Sequence, residues 1–530
     1  MEKVYVIGLD YGTDSVRAIM VDARSGEELA CASFNYPRWA AGLYCNEAEN
    51  RFRQHPLDML EGLEHVIRDV VNRVPDARDH VKAINVDCTG CTPCLCDRNL
   101  TPLSLLPEYS EDPAAMFFLW KDHSSQEESD RIERMCEGKY SALLSHSGGH
   151  HSPESYWSKV ARALKENPSL EAVAEGAIET HDYLPAVLCG IHRMSDLKES
   201  RATIAAKHLW APELGGFPDE EFIRGISPSL LKIYRNRNLV NYTPDTVQGT
   251  LCPEWASRLG LGQDVKVGVG HLDSWSGAVG AGVGEGRLIM SIGTSAAYTA
   301  VMPTGAVSQP IDGVLCQVED LAVPGMTGFE TGLSAFGDAY AWLKKVLCWA
   351  APDAENVLAR LNEEAAALDP KEDSPLATDW FNGRRTPSTD MSATASFINL
   401  RLSTTPAELF YAIVESTAFA TRAVIDLLVD NGVRVDSLIA IGGIAQKSPF
   451  VMQMLSDVLQ RPIELSSCVQ SCAYGAVLFA SVNAGIYPDV QSAQKALCKP
   501  SSTVYHPRPE RAALLEKRYS QYLALGAFTS

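Results

Sequence analysis

Two similar segments, far apart in the chain, constrain its fold more than any other feature of the sequence. Each has an apolar run, a Gly-Thr turn and a second apolar run: "GLDYGTDSVRAIMVD" starts at Gly8, and "SIGTSAAYT" starts at Ser291. The two Gly-Thr pairs lie 293 − 12 = 281 positions apart. Runs rich in β-branched residues around a Gly-containing turn predict a β-hairpin. The sequence therefore predicts two similar domains, each offering the hydroxyl and amide groups of a turn.

The order of elements predicts an α/β fold in both halves. After the first hairpin come a third strand in "GEELACASFNY", a helix in "PLDMLEGLEHVIRDVVNRV" and a strand in "VKAINVD". Because 530 residues exceed the roughly 250–300 at which single cores stop growing, we expect two large domains and a ligand cleft between them.

The second half has clear helix boundaries. A helical pattern begins at Thr405-Pro406 and ends at Asn431-Gly432, and Ser448 with Pro449 predicts the start of another helix. The strand "SLIAIGG" lies between these helices, and the strand "RPIELS" and the helix "AYGAVLFASVNAG" follow them.

Charge and hydropathy exclude several classes of partner. The formal net charge of −20 would repel a nucleic acid backbone or an anionic bilayer, so neither is expected as a partner. No apolar run approaches the roughly 18 residues of a membrane span, and no basic leader precedes the first hairpin. We therefore predict a cytoplasmic protein without a membrane partner, and a homodimer is compatible with the sequence.

Four closely spaced cysteines, in "CTGCTPCLC", superficially resemble a metal-binding motif. Zinc sites more often use two separated pairs, and bacterial iron–sulfur motifs have a longer last gap. Since the apolar run "VKAINVD" precedes them, Cys88, Cys91, Cys94 and Cys96 are predicted to be small buried residues at the end of a strand, without zinc or iron.

The turns themselves suggest phosphate binding, because a concave Gly-rich backbone can aim several N–H groups at one anion. The sequence has no G-x-x-x-x-G-K-[ST] pattern, and "GAVGAGVGEG" does not fit G-x-G-x-x-G after a strand. Neither a P-loop nor a Rossmann site is therefore predicted.

Taken together, four motifs resemble the FGGY carbohydrate kinases of the actin-like ATPase superfamily. They are the first hairpin, "GHLDSWSGAVGAG", "SIGTS" and "IGGIAQKSPFVMQMLSDVLQRPI", and the likeness runs from about residue 4 to about residue 490. The resemblance implies two ribonuclease-H-like, actin-type domains flanking a central cleft, an N-terminal domain over 1–275 and a C-terminal domain over 276–530.

The resemblance also implies ATP and Mg²⁺ as ligands. Asp10 would hold Mg²⁺ through water, and Arg17 would neutralise phosphate charge. Without the other motifs, the glycines of "IGGIAQ" could equally form a plain strand-to-helix turn. The implied ATP contacts are Asp10, Gly12, Thr13, Ser15, Arg17, Gly293, Thr294, Gly337, Gly442, Gly443, Gln446 and Lys447.

For the sugar, the resemblance implies a general base at Asp273, directly after the apolar strand "VKVGVGH". By itself an Asp after a strand is more often a turn or cap residue, and Lys207 could be a solvated helix lysine. The implied sugar contacts are Gly90, Cys91, Trp120, Lys207, Asp273 and Glu330.

The segments "FFLWKDHSS", "SPESYWSK", "GGFPDEEFI" and "DWFNGRRTP" resemble a branch of the family that phosphorylates L-ribulose. The expected reaction is transfer of phosphate from ATP to L-ribulose, and D-ribulose, ribitol and xylulose remain alternatives. A non-metabolic actin-like ATPase, such as a chaperone or filament protein, is disfavoured by Asp273, by "WKDH" and by the lack of an appended peptide-binding domain.

Overall fold

The computed structural model describes residues 3–350, 355–501 and 503–529. Its strands are β1 (Tyr5–Tyr11), β2 (Ser15–Asp22), β3 (Glu28–Asn35), β4 (Cys45–Asn46), β5 (Arg51–Gln54), β6 (Val81–Cys88), β7 (Pro93–Cys96), β8 (Phe117–Phe118), β9 (Gly176–Glu179), β10 (Glu199–Ser200), β11 (Asn241–Tyr242), β12 (Val247–Thr250), β13 (Lys266–Gly268), β14 (His271–Leu272), β15 (Gly286–Ile292), β16 (Ala296–Pro303), β17 (Cys316–Glu319), β18 (Met326–Leu333), β19 (Leu376–Ala377), β20 (Phe397–Ile398), β21 (Val435–Ile441), β22 (Ile463–Leu465) and β23 (Thr503–Tyr505).

The helices are α1 (Pro37–Ala40), α2 (Pro56–Arg73), α3 (Ala77–His80), α4 (Gln126–Met135), α5 (Ala142–Ser145), α6 (Tyr156–Glu166), α7 (Leu170–Val173), α8 (Thr180–Cys189), α9 (Arg201–Lys207), α10 (Glu220–Ile226), α11 (Leu230–Arg235), α12 (Pro253–Leu259), α13 (Asp273–Gly280), α14 (Gly337–Leu347), α15 (Val357–Ala366), α16 (Pro406–Asp430), α17 (Gly443–Lys447), α18 (Pro449–Leu459), α19 (Ser471–Asn483), α20 (Val490–Leu497) and α21 (Pro509–Thr529). None of them, within the described residues, is both long enough and apolar enough to cross a bilayer.

The chain forms two compact units. Unit 1 comprises Met1–Gly282, Gln317–Thr327 and Gln470–Cys498, and unit 2 comprises Val283–Cys316, Gly328–Val469 and Lys499–Ser530. Two segments of the second half therefore pack with unit 1. The family domains expected over 1–275 and 276–530 stay a prediction, since each compact unit consists of three chain segments and no single boundary in the sequence separates the two.

Unit 1 is built on a sheet with strand order β12-β13-β6-β1-β2-β3, in which β14 also pairs with β6. β1 runs antiparallel to β2 and parallel to β6, as expected for a hairpin followed by a helical crossover. The crossover contains α2, and several of its apolar residues, among them Leu63, Val66 and Ile67, are fully buried in the core of this sheet.

Glycines explain why α19 belongs to unit 1. A Cβ atom on Gly475 would overlap the carbonyl oxygen of Ser276 in α13, and one on Gly280 would overlap that of Ser471. Gly8 of β1 has the same close relation to Ala473 of α19. The run "GAVGAG" is thus the end of a packing helix, and its glycines allow two backbones to approach each other.

Unit 2 repeats the central part of this arrangement with strand order β18-β16-β15-β21-β22-β23. β15 and β16 form an antiparallel hairpin, and β15 runs parallel to β21. α16 starts with the predicted cap, since the Thr405 side chain accepts from Glu408 N–H and the Glu408 carboxylate accepts from Thr405 N–H. Ser448 caps α18 as predicted, by accepting from the N–H of Val451.

One predicted element differs in the structure. The apolar run "VKVGVGH" forms two short strands, β13 and β14, rather than one continuous strand. The interruption falls at Gly270, where a Cβ atom would overlap the carbonyl oxygen of His181 in α8. Close packing of this backbone against a helix end therefore divides the strand.

Candidate active site

Asp10 lies at the end of β1, where three strands of unit 1 come together. In the sheet register it is opposite Arg17 of β2 on one side and Asp87 of β6 on the other. Its carboxylate is 4.0 Å from the Arg17 guanidinium. Burial raises the pKa of Asp10, and the positive charge of Arg17 opposes this rise.

Asp87 is a site residue that the sequence analysis missed. It is fully buried, and neither of its carboxyl oxygens has a hydrogen-bond partner among the described residues. Burial, followed by the negative charges of Asp10 and Asp273, holds the pKa of Asp87 well above its usual range. A signal for it was present: "VYVIGLD" and "VKAINVD" both end in Asp, and parallel neighbouring strands place their ends side by side.

Asp273 completes this cluster of three carboxyl groups, which we call the carboxylate cluster (Asp10, Asp87 and Asp273). It is the first residue of α13, directly after β14. Since β14 pairs with the end of β6, with His271 opposite Asp87, Asp273 reaches the same edge of the sheet. Its carboxylate accepts a hydrogen bond from Ser274 N–H at 2.7 Å. The structure thus brings Asp10 and Asp273 together, with Asp87 as the buried third member.

The hairpin turn beside Asp10 is held from two sides. Gly12 N–H donates to the carbonyl oxygen of Ser15 at 3.0 Å, which closes the turn. The Trp120 indole N–H donates to the Thr13 hydroxyl at 3.1 Å, and the Gln54 amide donates to the Thr13 carbonyl oxygen at 2.8 Å. Trp120, predicted from the resemblance as a sugar contact, is therefore a direct neighbour of the predicted phosphate turn.

Gly90 and Cys91 lie in the turn between β6 and β7, close to Asp273. A Cβ atom on Gly90 would lie 2.6 Å from Cγ of Leu272, the residue before Asp273, so a side chain at position 90 would displace this strand end. Lys207 is the last residue of α9, and its ammonium lies 3.7 Å from the Glu154 carboxylate. Its side chain is 28% exposed, which is less than a solvated helix lysine would show.

The four clustered cysteines are buried at a strand end, as predicted: Cys88 ends β6, and Cys94 and Cys96 belong to β7. Cys91 hydrogen-bonds to Glu179, which also accepts from His208 Nε2 at 3.0 Å. An arginine, Arg237, donates to Nδ1 of His208 at 3.0 Å. Because Nδ1 must accept from the arginine, Nε2 carries the proton, and neither nitrogen has a lone pair free for a metal. This group acts as a hydrogen-bond network, and the prediction of a protein without zinc or iron stays a prediction.

In unit 2 the structure brings the Gly293-Thr294 turn together with Gly337, which the resemblance also implies as an ATP contact. Phe336 N–H and Asp338 N–H donate to the Thr294 carbonyl oxygen at 2.8 and 3.0 Å, and Gly337 N–H donates to that of Gly293 at 3.0 Å. A Cβ atom on Gly337 would lie 2.7 Å from that same Gly293 oxygen. The start of α14 is thus fixed against the turn after β15.

Gly442 joins the same group, because it follows β21 and precedes α17. It has φ of +98°, and a Cβ atom there would lie 2.5 Å from the carbonyl oxygen of Ile292. Both features favour glycine. Gly443, Gln446 and Lys447 form α17 itself, and the Gln446 amide donates to the Ser466 carbonyl oxygen at 3.4 Å.

Glu330 lies in the middle of β18 in unit 2 and is half-buried. Its carbonyl oxygen accepts from Leu315 N–H at 2.9 Å. Glu330 is thus the one predicted sugar contact that belongs to unit 2, whereas Gly90, Cys91, Trp120, Lys207 and Asp273 belong to unit 1.

Two family models match the chain. The model described as "FGGY family of carbohydrate kinases, N-terminal domain" matches residues 5–212, and its C-terminal counterpart matches residues 288–484. The chain belongs to the FGGY family of carbohydrate kinases. This FGGY kinase is thus a phosphotransferase with a sugar hydroxyl as acceptor, and ATP is the donor substrate of such kinases.

Curated relatives extend over almost the whole chain. A protein named ribulokinase from Vibrio parahaemolyticus is 38% identical over 540 aligned residues, which cover 98% of this chain and 95% of that protein. A second ribulokinase, from Halalkalibacterium halodurans, is 33% identical and covers 99% of this chain and 95% of that protein.

Solved structures show the same fold. The xylulose kinase of Rhodospirillum rubrum superposes with a TM-score of 0.82 at 22% identity, covering 99% of this chain and 98% of that one. The glycerol kinase of Plasmodium falciparum, solved with ADP, gives a TM-score of 0.80 at 16% identity with the same coverage. The FGGY kinase therefore has the predicted α/β fold with two actin-type domains.

Proposed function

We propose that this FGGY kinase phosphorylates a pentulose, and that its main reaction converts L-ribulose to L-ribulose 5-phosphate. The observation that carries the proposal is the similarity, over 98% of the chain, to a relative named ribulokinase at 38% identity. Further relatives of that name at 33% identity add to it. Related structures at 22% identity or less support the fold and do not select the sugar.

Asp273 is the proposed general base. It accepts the proton of the C5 hydroxyl while that oxygen attacks the γ-phosphorus in line, and the bond to the β,γ-bridging oxygen breaks to release ADP. An unactivated alcohol is a weak nucleophile, and a positioned base typically adds about 10²–10⁴-fold in rate. Its place at the edge of the unit 1 sheet, beside Asp87, supports this role.

Asp10 is the proposed Mg²⁺ ligand, acting through water. Carboxylate oxygens and water are the ligands that Mg²⁺ prefers, and the unpartnered carboxyl of Asp87 beside Asp10 makes the site suitable for a cation. Bound there, Mg²⁺ would neutralise phosphate charge. Arg17 would add a positive charge from the neighbouring strand.

The remaining roles follow the two predicted groups. We assign phosphate contacts to Gly12, Thr13 and Ser15 and to the Gly293-Thr294 turn, and nucleotide contacts to Gly337, Gly442, Gly443, Gln446 and Lys447. The sugar contacts would be Gly90, Cys91, Trp120, Lys207, Asp273 and Glu330. The polar and charged residues among these sugar contacts suit a ligand with several hydroxyls.

A substrate screen tests the proposal. Purified protein with ATP and Mg²⁺ is offered L-ribulose, D-ribulose, L- and D-xylulose and ribitol, ADP release is followed, and the position of the new phosphate is read by phosphorus NMR. We expect the highest kcat/KM with L-ribulose and phosphate on C5. A tenfold preference for another of these acceptors, or phosphate on another carbon, would contradict the proposed substrate. Homodimerisation and a cytoplasmic location stay predictions from the sequence, and sedimentation velocity tests the first.

A further inference from the structure

The segment "SPESYWSK", residues 152–159, contains no proposed ligand contact, and yet its side chains are among the most deeply buried polar groups of unit 1. It leads into α6, which starts at Tyr156. Ser158 and Lys159 are fully buried, and Tyr156 and Trp157 are two of the largest buried side chains. Lysine is almost never fully buried unless its ammonium is paired, so Lys159 requires an explanation.

Backbone carbonyl groups surround the Lys159 ammonium. It donates to the carbonyl oxygen of Cys91 at 2.7 Å and to that of Leu119 at 2.8 Å. Two further carbonyl oxygens, of Phe118 and Trp120, lie at 3.4 Å. One side chain thus connects the turn that carries Gly90 and Cys91 to the segment that carries Trp120.

The residues just before Lys159 hold a third segment. The Glu154 carboxylate lies 3.7 Å from the Lys207 ammonium. The Tyr156 ring stacks on the imidazole of His208, with centroids 4.0 Å apart, and the Trp157 indole N–H donates to the His208 carbonyl oxygen at 3.0 Å. The same stretch therefore contacts the end of α9, where Lys207 lies.

We propose that Lys159 is a positioning residue that holds the turn at Gly90-Cys91 and the segment at Trp120 in register with each other, and so sets the affinity for the sugar. This inference rests on the proposed function, because it takes those residues as sugar contacts. Without the ammonium, the carbonyl oxygens of Cys91, Phe118 and Trp120 would face one another in a buried space, whereas that of Leu119 would still accept from Asp122 N–H. A buried acceptor left without a partner is unfavourable, so the two segments would move apart to reach water.

The ammonium of Lys159 loses its proton at a lower pH than an exposed lysine does. The dependence of sugar binding on pH therefore gives a second test of the inference. Burial lowers its pKa to about 8; the Cys91 thiol, Glu154 and Glu179 act to raise this pKa, and Lys207 lowers it further. A further charged group, Arg53, lies near this segment, with its guanidinium 3.3 Å from the centroid of the Phe118 ring. It is paired with Asp122 and Glu166. Raising the pH through 8 should therefore remove the charge that binds the carbonyl groups.

The first experiment compares Lys159→Met with Lys165→Met. Lys165 is on the same helix and half exposed, and it pairs with the exposed Glu127 and with the buried Glu128, away from the Cys91 and Trp120 carbonyl groups, so its substitution controls for helix α6. We expect Lys159→Met to raise KM for L-ribulose at least about tenfold, because a misplaced contact of about 1 Å can cost 10²-fold. KM for ATP should rise by a smaller factor than KM for the sugar in Lys159→Met, since Trp120 also contacts Thr13, and should stay within about twofold in Lys165→Met. A sugar KM that is equal in the two variants would overturn the inference.

The second experiment needs no variant and decides the matter if Lys159→Met does not fold. KM for the sugar and KM for ATP of the wild type are measured from pH 6.5 to 9.5, with circular dichroism to verify folding. The sugar KM should rise above pH 8 by a larger factor than the ATP KM, and Lys159→Met, where it folds, should show no such rise. A flat sugar KM in the wild type would contradict the inference. If the wild type prefers another sugar in the screen, the proposed substrate is wrong, and the same comparisons are made with that sugar.

Discussion

The two hairpins of the molecule share a backbone and differ in their chemistry. The β1–β2 pair and the β15–β16 pair have the same lengths, and each strand boundary of the second is 281 positions after that of the first. In both, the turn glycine donates its N–H across the turn, from Gly12 to Ser15 at 3.0 Å and from Gly293 to Ser295 at 2.9 Å. Each turn is thus closed by the N–H of its glycine, which reaches the third residue on in unit 1 and the second residue on in unit 2.

The side chains around the turns are not shared. Where unit 1 has Asp10, unit 2 has Ser291, and the neighbouring parallel strand places Asp87 opposite the first but Ile441 opposite the second. The carboxylate pair of unit 1 is therefore replaced by a hydroxyl beside an apolar residue. We therefore propose that both hairpins bind phosphate oxygens, and that placement of the metal and proton transfer belong to unit 1.

The largest expected effect comes from Asp273, which has a neutral, nearly isosteric substitute in Asn. We expect Asp273→Asn to lower kcat by about 10²–10⁴-fold, because the base is lost, while the dissociation constant for ATP stays near that of the wild type. Steady-state kinetics and calorimetric titration with ATP measure the two quantities. Asp264→Asn, at an exposed position before β13, serves as the control. More than about a tenth of wild-type turnover in Asp273→Asn would refute the base assignment.

The matched pair Asp10→Asn and Ser291→Ala tests the asymmetry itself. Removing the carboxylate should lower kcat at least about tenfold and raise the Mg²⁺ concentration needed for half-maximal rate, since a charged ligand of the hydration shell is lost. Ser291→Ala should change both quantities by less than about threefold, the scale of one neutral hydrogen bond. The Mg²⁺ dependence of the initial rate measures this directly. Equal effects in the two variants would show that the hairpins share the metal.

The sequence was enough to predict the secondary structure of the two units, but it did not predict the carboxylate cluster of unit 1. Both hairpins, α2, α16, α18 and α19 were predictable, because apolar spacing, capping residues and Gly-Thr turns are local signals. Asp87 was missed because its importance depends on which strand lies beside β1, and pairing of β6 with β1 is a long-range contact. The roles of Asp10 and Asp273 came from the resemblance, and their common location is visible only in the folded sheet.

Packing of α19 on unit 1 was missed for a similar reason. Its apolar residues predicted a helix, and its position in the chain suggested the second domain. α19 packs on unit 1 because the backbone at Gly475 closely approaches Ser276, and the backbone at Gly8 closely approaches α19. Such close backbone packing depends on the three-dimensional arrangement and leaves no local signal in the sequence. Lys159 is a further example, because a lysine in an amphipathic helix predicts exposure, and only the four carbonyl groups around it explain its burial.

The turn glycines give a smaller effect that should be equal in the two units. A Cβ atom on Gly12 would lie 3.5 Å from its nearest neighbour and one on Gly293 would lie 3.8 Å away, so the protein itself has room for alanine at both. We expect Gly12→Ala and Gly293→Ala to keep the wild-type Tm and to raise KM for ATP about tenfold, because a methyl group would keep phosphate from the backbone N–H groups.

Gly337→Ala is the contrasting variant, since its Cβ atom would lie 2.7 Å from the Gly293 carbonyl oxygen. It should lower Tm, because overpacking typically costs about 1–3 kcal/mol. Thermal unfolding and ATP kinetics on the three variants separate the two kinds of glycine. A fall in Tm in Gly12→Ala, or an unchanged KM for ATP in both turn variants, would contradict the shared role of the turns.

The smallest effect concerns Asp87, which unit 2 replaces by the apolar Ile441. In the metal-free protein its pKa is held well above the usual range by burial and by its two carboxylate neighbours. Its contribution to stability is therefore fully present below the unfolded-state pKa near 3.9, and it is lost as the pH rises through the higher folded-state pKa. We expect Asp87→Asn to raise Tm at pH 8 in EDTA, by about 2–4 °C for each kcal/mol recovered.

The gain in Tm should be smaller at pH 5 than at pH 8, because the raised pKa of Asp87 favours its neutral form as the pH falls. Asp264→Asn should show no gain at either pH, since its carboxylate is exposed. Differential scanning calorimetry at the two pH values measures this dependence. A Tm at pH 8 equal to or below that of the wild type would show that Asp87 is not an unfavourable charge. If stability rises while turnover falls, unit 1 keeps a destabilising carboxyl for its chemistry, whereas unit 2, with Ile441 in its place, has no such conflict between stability and activity.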